Sequence, residues 1–153
     1  MEVLVKSSVK RPGMTLVNVR RLAEQVLRAE GRTDVEVGIL LVGRRAMTTL
    51  NERYTRRRGV TDVLSFEMAG REFSGSVLGD VYVCADEARA QAKSAGEPIG
   101  DSVARLVIHG LLHMVGYDHT KSHRAARAME ERQEVHGRAW RKSRKARARA
   151  VRP

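Results

Sequence analysis

The chain has 153 residues, of which 42% are hydrophobic and only 4% aromatic, and its formal net charge is +11. This length suits one domain with an aliphatic core and argues against a chain that is disordered throughout. The single cysteine, Cys84, cannot form a disulfide within the chain, which fits a reducing compartment. No apolar stretch is long enough to span a membrane and no signal peptide is visible, so we expect a cytoplasmic protein.

The positive charge is concentrated at the C-terminal end. Residues 138–153 contain eight cations and no acidic residue, which leaves +3 for residues 1–137. We therefore predict a domain over residues 1–137 and a basic tail over 138–153 that attracts a polyanion, most often a nucleic acid. The alternative is a tail that only keeps the protein soluble. The candidate RNA-binding residues of the tail are Arg141, Lys142, Arg144 and Lys145.

Hydrophobic periodicity and turn residues predict strands and helices that are interspersed along the chain. In chain order we expect a strand over 2–6, a helix from Thr15 to about Glu30, a strand over 35–42, a helix over 44–54, strands over 61–66 and 80–84 with a glycine-rich turn between them, helices over 85–95 and 99–115, and a final helix from about 122 into the tail. The pattern indicates an α+β fold, a compact single domain with a mixed sheet of about four strands and about five helices. The tail, rich in alanine and arginine, is expected to extend the last helix when RNA is present.

Three of the five histidines lie within one eleven-residue stretch, HGLLHMVGYDH at 109–119. His109 and His113 are four residues apart on a predicted helix, so their rings project from one face. Gly116 can end that helix and turn the chain so that His119 approaches the same point. Three histidines with a fourth position open are typical of a catalytic zinc site. The alternative is three unrelated histidines; His123 and His136 are interpreted as helix-end and surface residues.

The spacing H-x-x-x-H-x-x-G-x-x-H is that of the metzincin zinc peptidases, which carry a glutamate as general base directly after the first histidine. Gly110 occupies that place here, so the peptidase base is missing. Glycine within a helix is unfavourable, which suggests that space is needed at this point. Either a substrate beside the metal or close packing of the helix would require it.

The same stretch resembles the signature of the YbeY family of bacterial endoribonucleases, also called rRNA maturation factors. The segments 50–54 and 61–66, which read LNERY and TDVLSF, are similar to a second block of that family, and 78–81 to a third. The resemblance covers roughly residues 2–137. It implies a compact α+β fold with a metzincin-like metal helix, and a metal-dependent endonuclease specific for single-stranded RNA that acts in ribosomal RNA maturation, including the 3′ end of 16S rRNA, and in ribosome quality control.

Carried over by residue, the resemblance makes His109, His113 and His119 the ligands of one zinc ion per chain. Many members of the family have an arginine directly after the tyrosine of the second block, where this chain has Thr55. We expect Arg56 to take over that catalytic phosphate contact, with Arg57 and Arg58 as further RNA-binding residues.

Asp118 is interpreted as a carboxylate that orients a metal ligand, with capping of the turn as the alternative. The expected partners are single-stranded or ribosomal RNA and small-subunit ribosomal proteins. Two other functions remain open at this stage: a zinc-stabilised module that binds RNA or the ribosome without catalysis, and a metallopeptidase.

Overall fold

The computed structural model describes residues 1–68 and 77–151. The elements follow the predicted order closely, because each apolar periodicity in the sequence matches one strand or one helix. Their bounds are β1 (Glu2–Ser7), α1 (Leu16–Ala29), β2 (Glu36–Val42), α2 (Arg44–Thr55), β3 (Val63–Glu67), β4 (Val77–Cys84), α3 (Ala85–Ala95), α4 (Ile99–Met114) and α5 (His123–Val151).

The four strands form one mixed sheet in the order β1-β2-β4-β3. Strands β1, β2 and β4 are parallel, whereas β3 pairs antiparallel with β4 and lies at the edge of the sheet. The predicted α+β class, with a mixed four-stranded sheet and five helices, is confirmed within the described residues. The edge strand β3 lies next to α4, the helix that carries two of the histidines.

Strand β4 begins three residues earlier than predicted, at Val77 instead of Asp80. Leu78 is an extra residue in the pairing with β2, and Gly79 has a φ of +134°. A side chain at Gly79 would meet the carbonyl oxygen of Phe66 at 2.0 Å, so only glycine fits this irregular strand. Gly79, which the sequence pattern assigned to a turn, therefore lies at an irregular position within a strand. The rest of the predicted glycine-rich turn lies outside the described residues.

The main core lies between one face of the sheet and the helices α1, α4 and α5. Alternate residues of the strands point into it, among them Val5, Ile39 and Val81, and α4 contributes ten buried residues. Helix α2 covers part of the opposite face, where Val42, Met47 and Cys84 form a small second cluster. Cys84 is buried as predicted. The two clusters hold the sheet between α2 on one side and α4 on the other.

Helix α5 is 29 residues long and continues without interruption from His123 through residues 138–151. Trp140 is 1% exposed, Ser143 donates a hydrogen bond to Gln25 (3.0 Å), and Arg144 pairs with Asp101 at 3.3 Å. The predicted boundary between residues 137 and 138 therefore falls within one helix, and its first turns beyond residue 137 pack against α1 and α4.

Two remaining expectations concern membrane insertion and the isolated histidines. No helix within 1–68 and 77–151 combines the length and the apolar composition needed to cross a membrane. His123 is exposed at the first position of α5, as predicted. The prediction that His136 is a surface residue is wrong: its side chain is 3% exposed, because it faces α1 from the inner side of α5.

Candidate metal centre

The three predicted histidines lie together at one point of the surface. One ring nitrogen from each of His109, His113 and His119 lies within 4.8 Å of the other two. The ring centroids are 5.2–5.4 Å apart, and Nε2 of His113 lies 3.2 Å from Nδ1 of His119. Two nitrogens bound to one tetrahedral zinc ion at about 2.05 Å are separated by about 3.3 Å. The spacing of the imidazoles therefore fits a zinc ion with small adjustments of the rings.

The turn after α4 brings His119 to the other two histidines. Gly116 has a φ of +112°, and its N–H donates to the carbonyl of His113 at 3.1 Å. The predicted helix stop at Gly116 is thus what the structure shows. Asp118 accepts hydrogen bonds from the N–H (2.9 Å) and hydroxyl (2.6 Å) of Thr120, which lower the pKa of its carboxyl group. Asp118 therefore caps this turn, which is the alternative role that the sequence offered.

Gln133 of α5 is the residue of this site that sequence reasoning missed. Its amide Oε1 accepts a hydrogen bond from Nδ1 of His109. Since an amide oxygen can only accept, the proton of the neutral His109 ring lies on Nδ1 and Nε2 is left for a metal. A metal-binding histidine usually donates the N–H of its other ring nitrogen to an acceptor in the protein. No sequence signal marks Gln133, which is one polar residue among many on α5.

The electrostatics of the triad favour the neutral form of His113. Burial, followed by the proximity of His109 and His119, lowers the pKa of His113 below its usual range. A metal ion needs the neutral imidazole, so this environment lowers the competition from protons. The donor set, three imidazoles and no carboxylate, suits zinc better than magnesium or calcium.

Gly110 is required by the packing of α4 on the sheet. A side chain at this position would place its Cβ 2.4 Å from Cγ1 of Val81 and 3.2 Å from Cγ2 of Val63. The carbonyl of Gly110 accepts a hydrogen bond from the Ser65 hydroxyl at 3.1 Å. Of the two explanations for this glycine, close packing is the one that the structure supports. A glutamate has no room here.

A cleft of about 550 Å³ opens beside the triad. Two of the predicted arginines, Arg57 and Arg58, line it, whereas Arg56 does not. Its walls come from α2, the loop after α2, β3, α4 and the loop of residues 115–122, which we call the metal loop. The lining residues are Asn51, Thr55, Arg57, Arg58, residues 60–65, the three histidines and Thr120. Within the described residues, the cleft thus combines cationic side chains with the candidate metal ligands.

Asn51, from the LNERY segment, fixes the arginine loop of residues 56–59. This buried amide donates to the carbonyl of Gly59 at 2.9 Å and accepts from the Thr55 hydroxyl at 2.7 Å. Arg56 ends α2 in the left-handed conformation, with a φ of +59°. It lines a separate depression with Glu52, Arg57 and Arg58. Arg56 therefore lines this depression and not the cleft of the histidines, whereas Arg57 and Arg58 line both.

A buried polar network joins α5 to α1 next to the metal loop. Glu30 accepts hydrogen bonds from Arg132 (Nε, 3.0 Å), and His136 Nε2 lies 2.7 Å from the same carboxylate oxygen. Tyr117, between two of the candidate ligands, also bonds to Glu30. Burial alone would raise the pKa of Glu30, but the hydrogen bonds from Arg132, His136 and Tyr117 outweigh it and lower the pKa. The network ties the loop of His119 to two helices.

The fold and the triad together define a small α+β protein with a three-histidine candidate metal centre. The sequence profile of the family described as Endoribonuclease YbeY matches residues 6–141. The chain belongs to this family, and membership supports an endoribonuclease role.

Individual relatives agree with the family profile. The chain is 41% identical over 115 residues to an endoribonuclease YbeY of Anaeromyxobacter dehalogenans, a match that covers 75% of this chain and 59% of that protein. It is 38% identical over 120 residues to the one of Aquifex aeolicus, which covers 78% of each chain. The solution structure of TM1509 from Thermotoga maritima has the same fold, with a TM-score of 0.68 at 24% identity, over 95% of this chain and 93% of that one.

Proposed function

We propose that this protein is a zinc-dependent endoribonuclease that cleaves single-stranded RNA. The observation that carries the proposal is one cleft that contains three convergent imidazoles together with Arg57 and Arg58. Its place would be the cytoplasm, in maturation of ribosomal RNA, including the 3′ end of 16S rRNA, and in ribosome quality control, with small-subunit ribosomal proteins as partners. The family membership supports the RNA substrate, and the missing carboxylate at Gly110 separates the site from peptidases.

Each group of residues at the site would have its own role in RNA cleavage. His109, His113 and His119 would hold one zinc ion per chain, which when bound polarises a phosphoryl oxygen and lowers the pKa of bound water. Gln133 would keep His109 in the tautomer that presents Nε2. Cations fixed beside the phosphate stabilise the negative charge that develops there, most strongly where water is excluded. Arg57 and Arg58 are the cations that line this cleft.

Experiment can identify which of Arg56, Arg57 and Arg58 takes the role of the family arginine, whose position is occupied by Thr55 in this chain. The prediction of Arg56 rests on its position in the sequence, whereas the proposal of Arg57 or Arg58 is supported by their presence in the lining of the cleft. We propose that one of the latter two contacts the scissile phosphate. Substituting each of the three arginines by glutamine decides between them: the catalytic one lowers kcat by about 100-fold, as loss of a charge-stabilising donor does. A loss confined to Arg56→Gln would restore the first prediction.

The C-terminal part of α5 would add RNA affinity that is independent of sequence. Arg138, Arg141, Lys142, Lys145 and Arg149 lie on one face of α5 and are all exposed. Arg144 lies on the inner side, where it pairs with Asp101, so its contribution to RNA binding is expected to be smaller. Replacing Lys142, Lys145 and Arg149 by glutamine should flatten the dependence of log affinity on log salt, by about 0.7 for each phosphate that is no longer neutralised. An unchanged slope would mean that this face only keeps the protein soluble.

Cleavage and binding of RNA must be measured separately to test the activity. We expect a labelled single-stranded RNA to be cut by the zinc-loaded protein, to stay intact after chelation, and to be cut again when zinc is returned. Casein should remain intact throughout. A folded, zinc-loaded protein that binds the RNA and never cuts it would assign the chain to a binding module; casein cleavage that is lost in His109→Ala would assign it to the peptidases.

A further inference from the structure

The edge strand β3 presents unpaired main-chain groups to the cleft. In an antiparallel pair, alternate residues bond to the neighbouring strand and the residues between them point away. Asp62 accepts from the N–H of Cys84 at 2.8 Å, and Met68 donates to the carbonyl of Leu78 at 3.2 Å. The even-numbered residues therefore bond to β4. The N–H and C=O groups of Val63 and Ser65 point outward, away from the sheet.

These outward groups have no hydrogen-bond partner among residues 1–68 and 77–151. Val63 and Ser65 are half-buried and line the same cleft as the three histidines. The Ser65 hydroxyl, bonded to the carbonyl of Gly110, fixes the strand against α4. The free edge of a strand is a ready template for hydrogen bonds. The cleft therefore has one wall that can both donate and accept.

Among the described residues of the cleft, the side chains on which the bases of single-stranded RNA can stack are histidines and arginines. Such bases commonly stack on aromatic side chains, but no phenylalanine, tyrosine or tryptophan is among the described residues of its walls. Tyr54, Phe66 and Tyr82 pack edge to face on one another, with centroids 5.4 and 5.6 Å apart, and Phe66 and Tyr82 point to the opposite face of the sheet. Since the proposed function assigns the histidines to the metal and the arginines to phosphate, a base in the cleft is expected to rely on further contacts.

We propose that the outward main-chain edge of Val63 and Ser65 hydrogen-bonds the Watson–Crick edge of a base next to the scissile phosphate. Each residue offers a donor and an acceptor on the same side, and the Watson–Crick edge of every base offers an adjacent acceptor and donor. This inference rests on the proposed endoribonuclease function. An extended peptide could pair with the same edge, but the arginines that line the same cleft favour a polyanion.

The first test changes only the RNA. Single-stranded oligonucleotides carry N3-methyluridine in place of one uridine at a time around the cleavage site, which blocks the Watson–Crick edge and leaves the charge of the base unchanged. We expect one position at which methylation raises KM by about 10-fold, since one or two hydrogen bonds are lost. If no position responds while unmodified RNA is cleaved, the inference is wrong. If the wild-type protein cleaves no RNA, the proposed function fails instead.

The second test removes the outward N–H of the protein. Ser65→Pro deletes this donor without removing a β3–β4 hydrogen bond, and edge strands accept proline. The reference is Ser65→Ala, which also lacks the hydroxyl and keeps the N–H. Relative to this reference, Ser65→Pro should raise KM about 10-fold for unmodified RNA and respond less to the methylated position, at the same zinc content. Equal KM values and equal responses in the two variants would contradict the inference, as would competition of an uncharged extended peptide with RNA.

If Ser65→Pro fails to fold, the methylation test still decides. The same RNA series is then repeated with Val63→Pro, in which proline takes the first position of the strand, a position that proline accepts. In a folded Val63→Pro protein, the methylation response and KM could both stay unchanged. That result would leave no role for the outward N–H of Val63 and would limit the proposed contact to Ser65.

Discussion

Helices α4 and α5 pack against each other and both supply residues to the site, but in opposite ways. Helix α4 has ten buried residues and places His109 and His113, both half-buried, near its C-terminal end. Helix α5 is nearly twice as long and, in the part described, buries only Met129, His136 and Trp140. The chemistry of α4 is visible in its sequence, whereas α5 acts through single polar side chains that support the histidines. The apolar helix α4 therefore sets the position of the two histidines, and the polar helix α5 orients the ring of His109.

The largest effect is expected from removing a ligand that α4 provides. His113→Ala should lower the zinc content of protein purified without a histidine tag from about one ion per chain to almost none, because two imidazoles bind zinc weakly. The matched control is His123→Ala, an exposed histidine at the start of α5. Metal analysis of both proteins measures the effect. Equal zinc in the two variants would exclude the proposed centre.

A smaller but distinct effect is expected from the support that α5 gives to the same site. Gln133→Leu removes the acceptor for Nδ1 of His109, so metal affinity should fall about 10- to 100-fold while the three ligands remain. Gln25→Leu is the control, since Gln25 also accepts a side-chain hydrogen bond, from Ser143 at 3.0 Å, away from the site. Competition with a chelator gives both affinities. Equal affinities would mean that α5 does not orient the ligand.

The glycines of the two helices should respond to alanine with opposite signs. Gly110→Ala in α4 should lower the free energy of unfolding by about 2 kcal/mol, because the new Cβ would lie 2.4 Å from Val81. Gly137→Ala in α5 should raise it by up to about 1 kcal/mol, because its Cβ meets only the flexible end of Arg141 at 3.3 Å. Urea unfolding measures both. A stabilising Gly110→Ala would show that the packing of α4 on the sheet is looser than described.

The Glu30 network should make the contact of α5 with α1 sensitive to acid. The pKa of Glu30 is lower in the folded protein than its usual value of 4.5, so its stabilisation is present above that value and is lost as the pH falls through the folded pKa. Glu30→Gln should cost about 2 kcal/mol at pH 7 and progressively less below pH 4.5. Glu24→Gln, whose exposed partner Arg28 lies 3.6 Å away, should cost little at any pH.

Urea unfolding of both variants and the wild type, with chelator present throughout, gives these differences free of metal binding. A cost of Glu30→Gln that stays constant between pH 7 and pH 3.5 would mean that the carboxylate charge does not stabilise this contact.

The sequence carried the information for most of the fold because the core is built from regular periodicities. Thr15, for example, caps α1 as predicted, with its hydroxyl accepting from the N–H of Asn18 at 3.2 Å. The triad was predictable because i,i+4 spacing and a glycine turn are local. Contacts between distant segments were not: Gln133 with His109, and Glu30 with His136, join residues 24 and 106 positions apart. Polar residues on α5 give no periodic signal that distinguishes a supporting side chain from a solvated one.

The continuity of α5 also sets a distance. Its 29 residues span about 44 Å, and Lys145 lies about 18 Å along the axis from Gln133. A flexible tail would let its cations approach the histidines from many directions, but a helix packed at Met129, His136 and Trp140 acts as a rigid spacer. A polyanion bound along the outer face of this helix is consequently held at a defined distance from the three imidazoles. The length of the helix, rather than its charge, would then decide which part of that polyanion reaches the cleft.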